Sequence, residues 1–186
     1  MHQPNQKEHR VCAIAPTTRG FGFAVMEGES SLLAFGSKRV NGNKNARSMD
    51  KIAKLIKYYR PDVVVLPDVN ATDARRADRI KTLQRIIVDL THSQKLKAVV
   101  ISGKRVRQTL LGNPKGTKHE VAAAVGARFP NELSSLLPPK RRAWDSEDRR
   151  MDMFDAVGLA VAFRESGKRT GNGSETPTDL EDAESE

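Results

Sequence analysis

"VCAIAPTTRGFGFAV", residues 11–25, decides the fold: two apolar runs meet at a turn carrying two hydroxyls, an arginine and a glycine. Residues 11–15 and 21–27 read as strands, with Pro16 and Gly20 marking the turn between them. A third strand, "SLLAFGSKRV" over residues 31–40, is reached through Gly28. The three form an antiparallel meander that "NGNKN", residues 41–45, ends. Turns of this kind often carry a phosphate-binding or metal-binding group, yet this one contains no carboxylate.

Downstream the hydrophobic period changes. From Ser48 onward, Met49, Ile52, Ala53, Ile56 and Tyr59 share one helical face, with Lys51, Lys54 and Lys57 elsewhere. Pro61 stops that helix. "DVVVL", residues 62–66, is a continuous apolar strand of the type buried on both faces in parallel sheets. A second helix is expected from about Thr72, with Ile80, Leu83, Ile87 and Leu90 inward and Arg75, Arg76, Arg79 and Arg85 on its outer surface. "AVVI", residues 98–101, is the next strand. Thr117 followed by Glu120 is a capping-box pattern, which starts a helix near Lys118. "SSLLPPKRRAWDSEDRR", residues 134–150, reads as a Pro- and Arg-rich loop, and a last helix covers roughly residues 146–166. A meander followed by alternating helices and strands predicts an α/β fold: a mixed sheet, three antiparallel strands then parallel ones, flanked by helices on both sides.

With 186 residues and 38% hydrophobic content, one core and one domain are expected. The predicted domain spans residues 10–166, between a flexible N-terminus, 1–9, and a disordered acidic tail, 167–186. The formal charge is +9. The tail holds two basic and six acidic side chains, leaving 30 basic against 17 acidic in the remainder, or +13. A basic body with an acidic, Gly/Ser/Thr-rich tail suggests a nucleic-acid binder, although a generically basic protein has the same balance. Cys12, the single cysteine, lies in an apolar run and reads as a small buried hydrophobe. No run reaches membrane-spanning length, and "MHQPNQKEHR" has no apolar signal region. A soluble, cytoplasmic protein with no membrane partner is the expectation.

The last helix is richest in chemistry. Asp148, Asp152 and Asp155 are spaced i, i+4, i+7 and would share one face among Met151, Phe154, Val157, Leu159, Val161 and Phe163. Carboxylates in so apolar a helix need a partner, and Mg²⁺ or another hard divalent cation is one natural choice. Pairing of Asp152 with Arg149 or Arg150 is the plainer alternative. Asp68, just past the "DVVVL" strand, stands where open α/β sheets place ligands, although a lone Asp there is more often an Asx-turn. Basic groups cluster in the 75–85 helix, in "NPKGTKH" and in "PKRRAW". In the second cluster, Lys115 and Lys118 flank a turn whose helix N-terminus can bind phosphate, without Walker-type spacing. In the third, Trp144 beside Arg141 and Arg142 can stack on a base, but a sole tryptophan is more often a buried anchor. The four histidines lack zinc-ligand spacing, and no Gly-x-Ser-x-Gly elbow occurs.

In this order the segments resemble the RuvC-type Holliday-junction resolvases of the ribonuclease-H-like superfamily, over about residues 10–163. "AIAPTTRGFGFAV" resembles that family's opening hairpin, usually Ile-Asp-Pro-Gly then Gly-x-Gly. "YRPDVVVLPDVN" resembles the strand that normally ends in a catalytic Glu. "VRQTLLGNPKGTKHEV" resembles its Gly-rich, Lys-containing segment, and "MDMFDAVGLAVAF" its terminal Asp-x-x-Asp-Ala helix. The resemblance implies DNA recombination and repair on branched DNA by a homodimer. It also implies four carboxylates holding two Mg²⁺ or Mn²⁺ ions at the scissile phosphodiester. Two carboxylates carry over, to Asp152 and Asp155. The first family position is Ala15 and the second is Pro67, with Asp68 one residue late.

Two readings follow: a RuvC-like DNA-binding protein with the usual nuclease site degraded, or an active metal-dependent endonuclease using Asp68, Asp148, Asp152 and Asp155. On either, Arg19, Arg75, Arg76, Arg79, Lys115, Lys118, Arg141 and Arg142 are the candidate DNA contacts. An actin- or sugar-kinase-like protein also opens with a strand and a Thr/Gly turn, but this chain is short for paired domains and shows no second phosphate loop. A protein-interaction scaffold is the remaining class, distinguished by having no DNA affinity.

Overall fold

The computed structural model describes residues 9–70 and 78–170. β1 (Arg10–Thr17), β2 (Gly20–Glu27) and β3 (Ser31–Arg39) form the antiparallel meander. α1 (Lys44–Tyr59), β4 (Val63–Pro67), α2 (Asp78–Ser93) and β5 (Lys97–Ile101) follow. α3 (Gly103–Leu111), α4 (Lys118–Arg128), the short α5 (Pro130–Leu133), a 3-10 turn (Ser134–Leu136) and α6 (Met151–Thr170) complete the described elements. The sheet order is β3-β2-β1-β4-β5, with β4 parallel to both β1 and β5. This is the predicted mixed sheet.

Strand alternation divides the core. Val11, Ala13 and Ala15 of β1 face one apolar cluster, formed with α3, α4 and α6. Cys12 and Ile14 face the other, with Ile52 and Ile56 of α1 and Leu83 and Ile87 of α2. Burial pushes the Cys12 thiol up to about 12, so it stays protonated as packing material. α6 lies across β1, β2 and β3, which explains its nearly continuous burial. No helix among the described residues is long and apolar enough to cross a membrane.

Several helix boundaries differ from the sequence expectation, each for a local reason. α1 begins at Lys44 rather than Ser48, because the Asn43 side chain accepts the Ala46 N–H at 3.3 Å. α3 has no counterpart in the sequence reading; Ser102 caps it and Gly112, at φ 73°, ends it. α6 begins at Met151, not 146, because Asp148 accepts the Arg150 N–H at 2.8 Å in a non-helical turn. The capping box at Thr117 and Glu120 forms as the spacing predicts.

One close approach fixes the head of α6. A Cβ on Gly22 would lie 1.8 Å from the Asp152 carbonyl oxygen, so only glycine lets the first turn of α6 rest on β2. Ala15 pairs directly with Gly22 across the ladder. Its methyl therefore lies on the same face, under the start of α6.

Candidate functional site

The hairpin turn, the end of β3, the start of α4 and the head of α6 enclose a cavity of about 250 Å³. Its acidic groups are Glu147, Asp152 and Asp155, and its basic groups are Arg19, Arg39, Lys118 and Arg149. Asp152 and Asp155 project together because i and i+3 share a helical face. The capping box holds the first turn of α4 so that the Lys118 ammonium reaches both Glu147 Oε1, at 2.8 Å, and Asp155 Oδ2, at 3.0 Å. Burial opposes the Lys118 charge, but the two carboxylates together outweigh it and hold its pKa above the ordinary lysine value.

Asp152 has the weaker support. Thr17 Oγ1 donates to its Oδ2 at 3.4 Å, a long bond. Its carboxyl is raised to about 6, first by burial and then by the neighbouring charge of Asp155, with Lys118 acting the other way. Neither Arg149 nor Arg150 pairs with it, contrary to the simpler sequence alternative. Arg150 instead clamps Asp148, with Nε to Oδ1 at 3.0 Å and Nη2 to Oδ2 at 2.7 Å. That clamp, opposed by partial burial, holds Asp148 below the usual carboxylate range.

Asp148 is thus removed from the expected three-aspartate face: it precedes α6 and lines two adjoining clefts, one sharing Arg19, Arg39, Glu147 and Arg149 with this cavity and the other Lys118 and Glu147. Asp68 also lies elsewhere. It forms the Asx-turn, its Oδ1 accepting the Asn70 N–H at 3.0 Å, and lines a cleft along β5 with Ser102 and Arg105. Pro67 ends β4 and supplies no ligand, and Ala15 presents a methyl beneath Asp152. Glu147 joins the cavity in a way the sequence reading did not anticipate. Its tie is an ion pair to a residue 29 positions away, so no local pattern could have marked it.

Two of the cavity's three carboxylates, Glu147 and Asp155, share the Lys118 ammonium, and the third, Asp152, accepts only the long bond from Thr17. Among the described residues, no three His, Cys, Asp or Glu side chains are arranged to share a metal.

The predicted basic contacts divide. Arg19 is exposed at the cavity mouth beside Arg39, which the sequence reading does not single out, and Arg149, which it weighs only as a partner of Asp152. Among the described residues, none of these three guanidinium groups makes a hydrogen bond or ion pair. Lys115, Arg141 and Arg142 are exposed on loops. Arg79 does not lie on the outer surface of α2. Its Nη1 donates to the Thr17 carbonyl and its Nη2 to Ser48 Oγ at 3.4 Å, so it braces the hairpin turn from below. Burial lowers the Arg79 pKa, yet the guanidinium stays charged. Arg75 and Arg76 lie outside the described residues. Trp144 is not a buried anchor: it is 78% exposed.

No family model matches the sequence, and no curated protein matches it. Solved structures do match. Thermus thermophilus RuvC in complex with a Holliday-junction substrate aligns at TM-score 0.68 and 15% identity, covering 87% of this chain and 96% of that one. The yeast mitochondrial Holliday-junction resolvase Ydc2 aligns at 0.62 and 13%, covering 91% and 84%. The fowlpox virus resolvase, solved with its substrate Holliday-junction DNA, aligns at 0.53 and 14%, covering 84% and 99%. The chain has the fold of the RuvC-type resolvases, a ribonuclease-H-like α/β fold.

Proposed function

We propose that this protein binds branched DNA through the cavity at the head of α6 and does not cleave it by the usual two-metal route. The charge census of that cavity carries the reading: four cations, Arg19, Arg39, Lys118 and Arg149, face three carboxylates. A site built for two divalent ions is net negative before they bind, whereas this one is net positive and suits a phosphodiester directly. The arginines at the mouth are free to take phosphate oxygens in bidentate fashion. Lys118 neutralises the carboxylates beneath, so the strand is not repelled. The fold shared with two structures that hold Holliday-junction DNA supports a junction as the ligand. A homodimer is the working unit that the resemblance implies.

A labelled four-way junction, titrated against a duplex of equal length over a salt series, tests this. Junction binding should exceed duplex binding and weaken steeply with salt as counterions are released. Equal, salt-insensitive or absent binding would overturn it. The second reading, an active Mg²⁺- or Mn²⁺-dependent endonuclease with a rearranged set, is favoured by one observation, the presence of Glu147 beside Asp152 and Asp155. Strand nicking abolished by Asp152→Asn would establish it.

A further inference from the structure

We propose that Trp144 is a base-stacking site for an unpaired nucleobase at the point where strands branch; this rests on the DNA-binding reading above. The only tryptophan in the chain is 78% exposed, so its ring face is open to a ligand. It is also held in place. Residues 142–145 form a closed turn in which the Asp145 N–H donates to the Arg142 carbonyl at 3.1 Å. The Arg142 N–H in turn donates to Asp145 Oδ2 at 3.1 Å. Trp144 occupies the third position of that turn, so the ring projects from an apex braced on both sides.

Its surroundings select a nucleobase among possible ligands. Arg142 lies 5.9 Å from the ring centroid, adding a planar cation beside the π face. Lys140 and Arg141 immediately precede it, exposed, and are placed to hold the phosphates flanking a stacked base. Glu147, three residues beyond Trp144, already lines the cavity at the head of α6. Three residues span at most about 11 Å, so a strand seated on the arginines there is within reach of the indole. Bases within a duplex present only their edges, so a projecting ring can stack only where a base is unpaired: at a branch, gap or single strand.

A chain with one tryptophan reports on its own site. Intrinsic fluorescence and the anisotropy of labelled DNA are read in the same titration, against a sealed duplex and against a junction with unpaired bases at its centre. Indole emission should be quenched along the junction-binding isotherm and stay unchanged when duplex binds. Trp144→Ala should weaken junction binding about 5- to 100-fold while leaving duplex affinity in place, and Trp144→Phe should restore most of it. Junction binding with unchanged emission, or equal loss on both DNAs in Trp144→Ala, overturns the stacking site alone. Concentration-dependent quenching without DNA would assign the ring to self-association and overturn it too. Absence of binding to either DNA defeats the DNA-binding reading, and this inference with it.

Discussion

Replacing Asp152 by Asn should stabilise the protein, by an amount that grows as pH rises from about 4 and is complete above about 6. The Asp152 carboxyl is raised to about 6 against an ordinary 3.8, chiefly by burial and then by Asp155. Between those values the folded chain binds more protons than the unfolded one, so wild-type stability falls as pH rises, and above 6 the loss is complete. The full difference corresponds to roughly 3 kcal/mol. Partial exposure screens it, and the first turn of a helix favours negative charge, so a cost on the order of 1–2 kcal/mol is the working figure. Asparagine keeps an oxygen for the Thr17 hydroxyl and carries no charge. For a chain of this length the corresponding rise in Tm is about 2–8 °C. Paired thermal melts of wild type and Asp152→Asn at pH 3 and pH 8 read this directly. The shift should be present in full at pH 8 and close to zero at pH 3, below both values. An equal shift at both, or destabilisation at pH 8, would refute the electrostatic account of the site.

Other perturbations separate scaffold from ligand contact. Gly22→Ala drives a methyl into the Asp152 carbonyl and should cost about 2–3 kcal/mol or more in urea unfolding. Arg79→Ala frees the Thr17 carbonyl it braces. It should lower stability by about 1–3 kcal/mol without changing the salt slope of DNA binding. Arg19→Ala, Arg39→Ala and Arg149→Ala should leave Tm within about 1 °C, and each should reduce that slope by about 1. Lys118→Met strips Glu147 and Asp155 of their shared cation. Its stability, followed by denaturant titration, should fall by about 1–3 kcal/mol.

What was legible in the sequence was what local pattern controls. The hairpin followed from alternation, the start of α4 from Thr117 and Glu120, and the pair Asp152 and Asp155 from helical spacing. Asp148 was misplaced because the i, i+4, i+7 spacing continues past the true helix start, where its carboxylate is turned to Arg150. Arg79 was misplaced because helical period assigns a face but cannot show a carbonyl waiting in another element. Glu147, Arg39 and Arg149 join the site only through tertiary folding; each looks like ordinary surface charge in its own segment. Trp144 went against residue preference, which favours burial of the largest ring.

The central claim, that the site binds branched DNA without the usual two-metal cleavage, is tested most directly by strand integrity. Wild type and Ala15→Asp/Pro67→Glu are incubated with a labelled four-way junction in Mg²⁺ or Mn²⁺, and the strands are resolved under denaturing conditions. The account predicts intact strands with bound wild type, and nicks with the double variant, whose carboxylate at position 15 arrives beside Asp152. Robust nicking by wild type, lost in Asp152→Asn or Asp155→Asn, would contradict it.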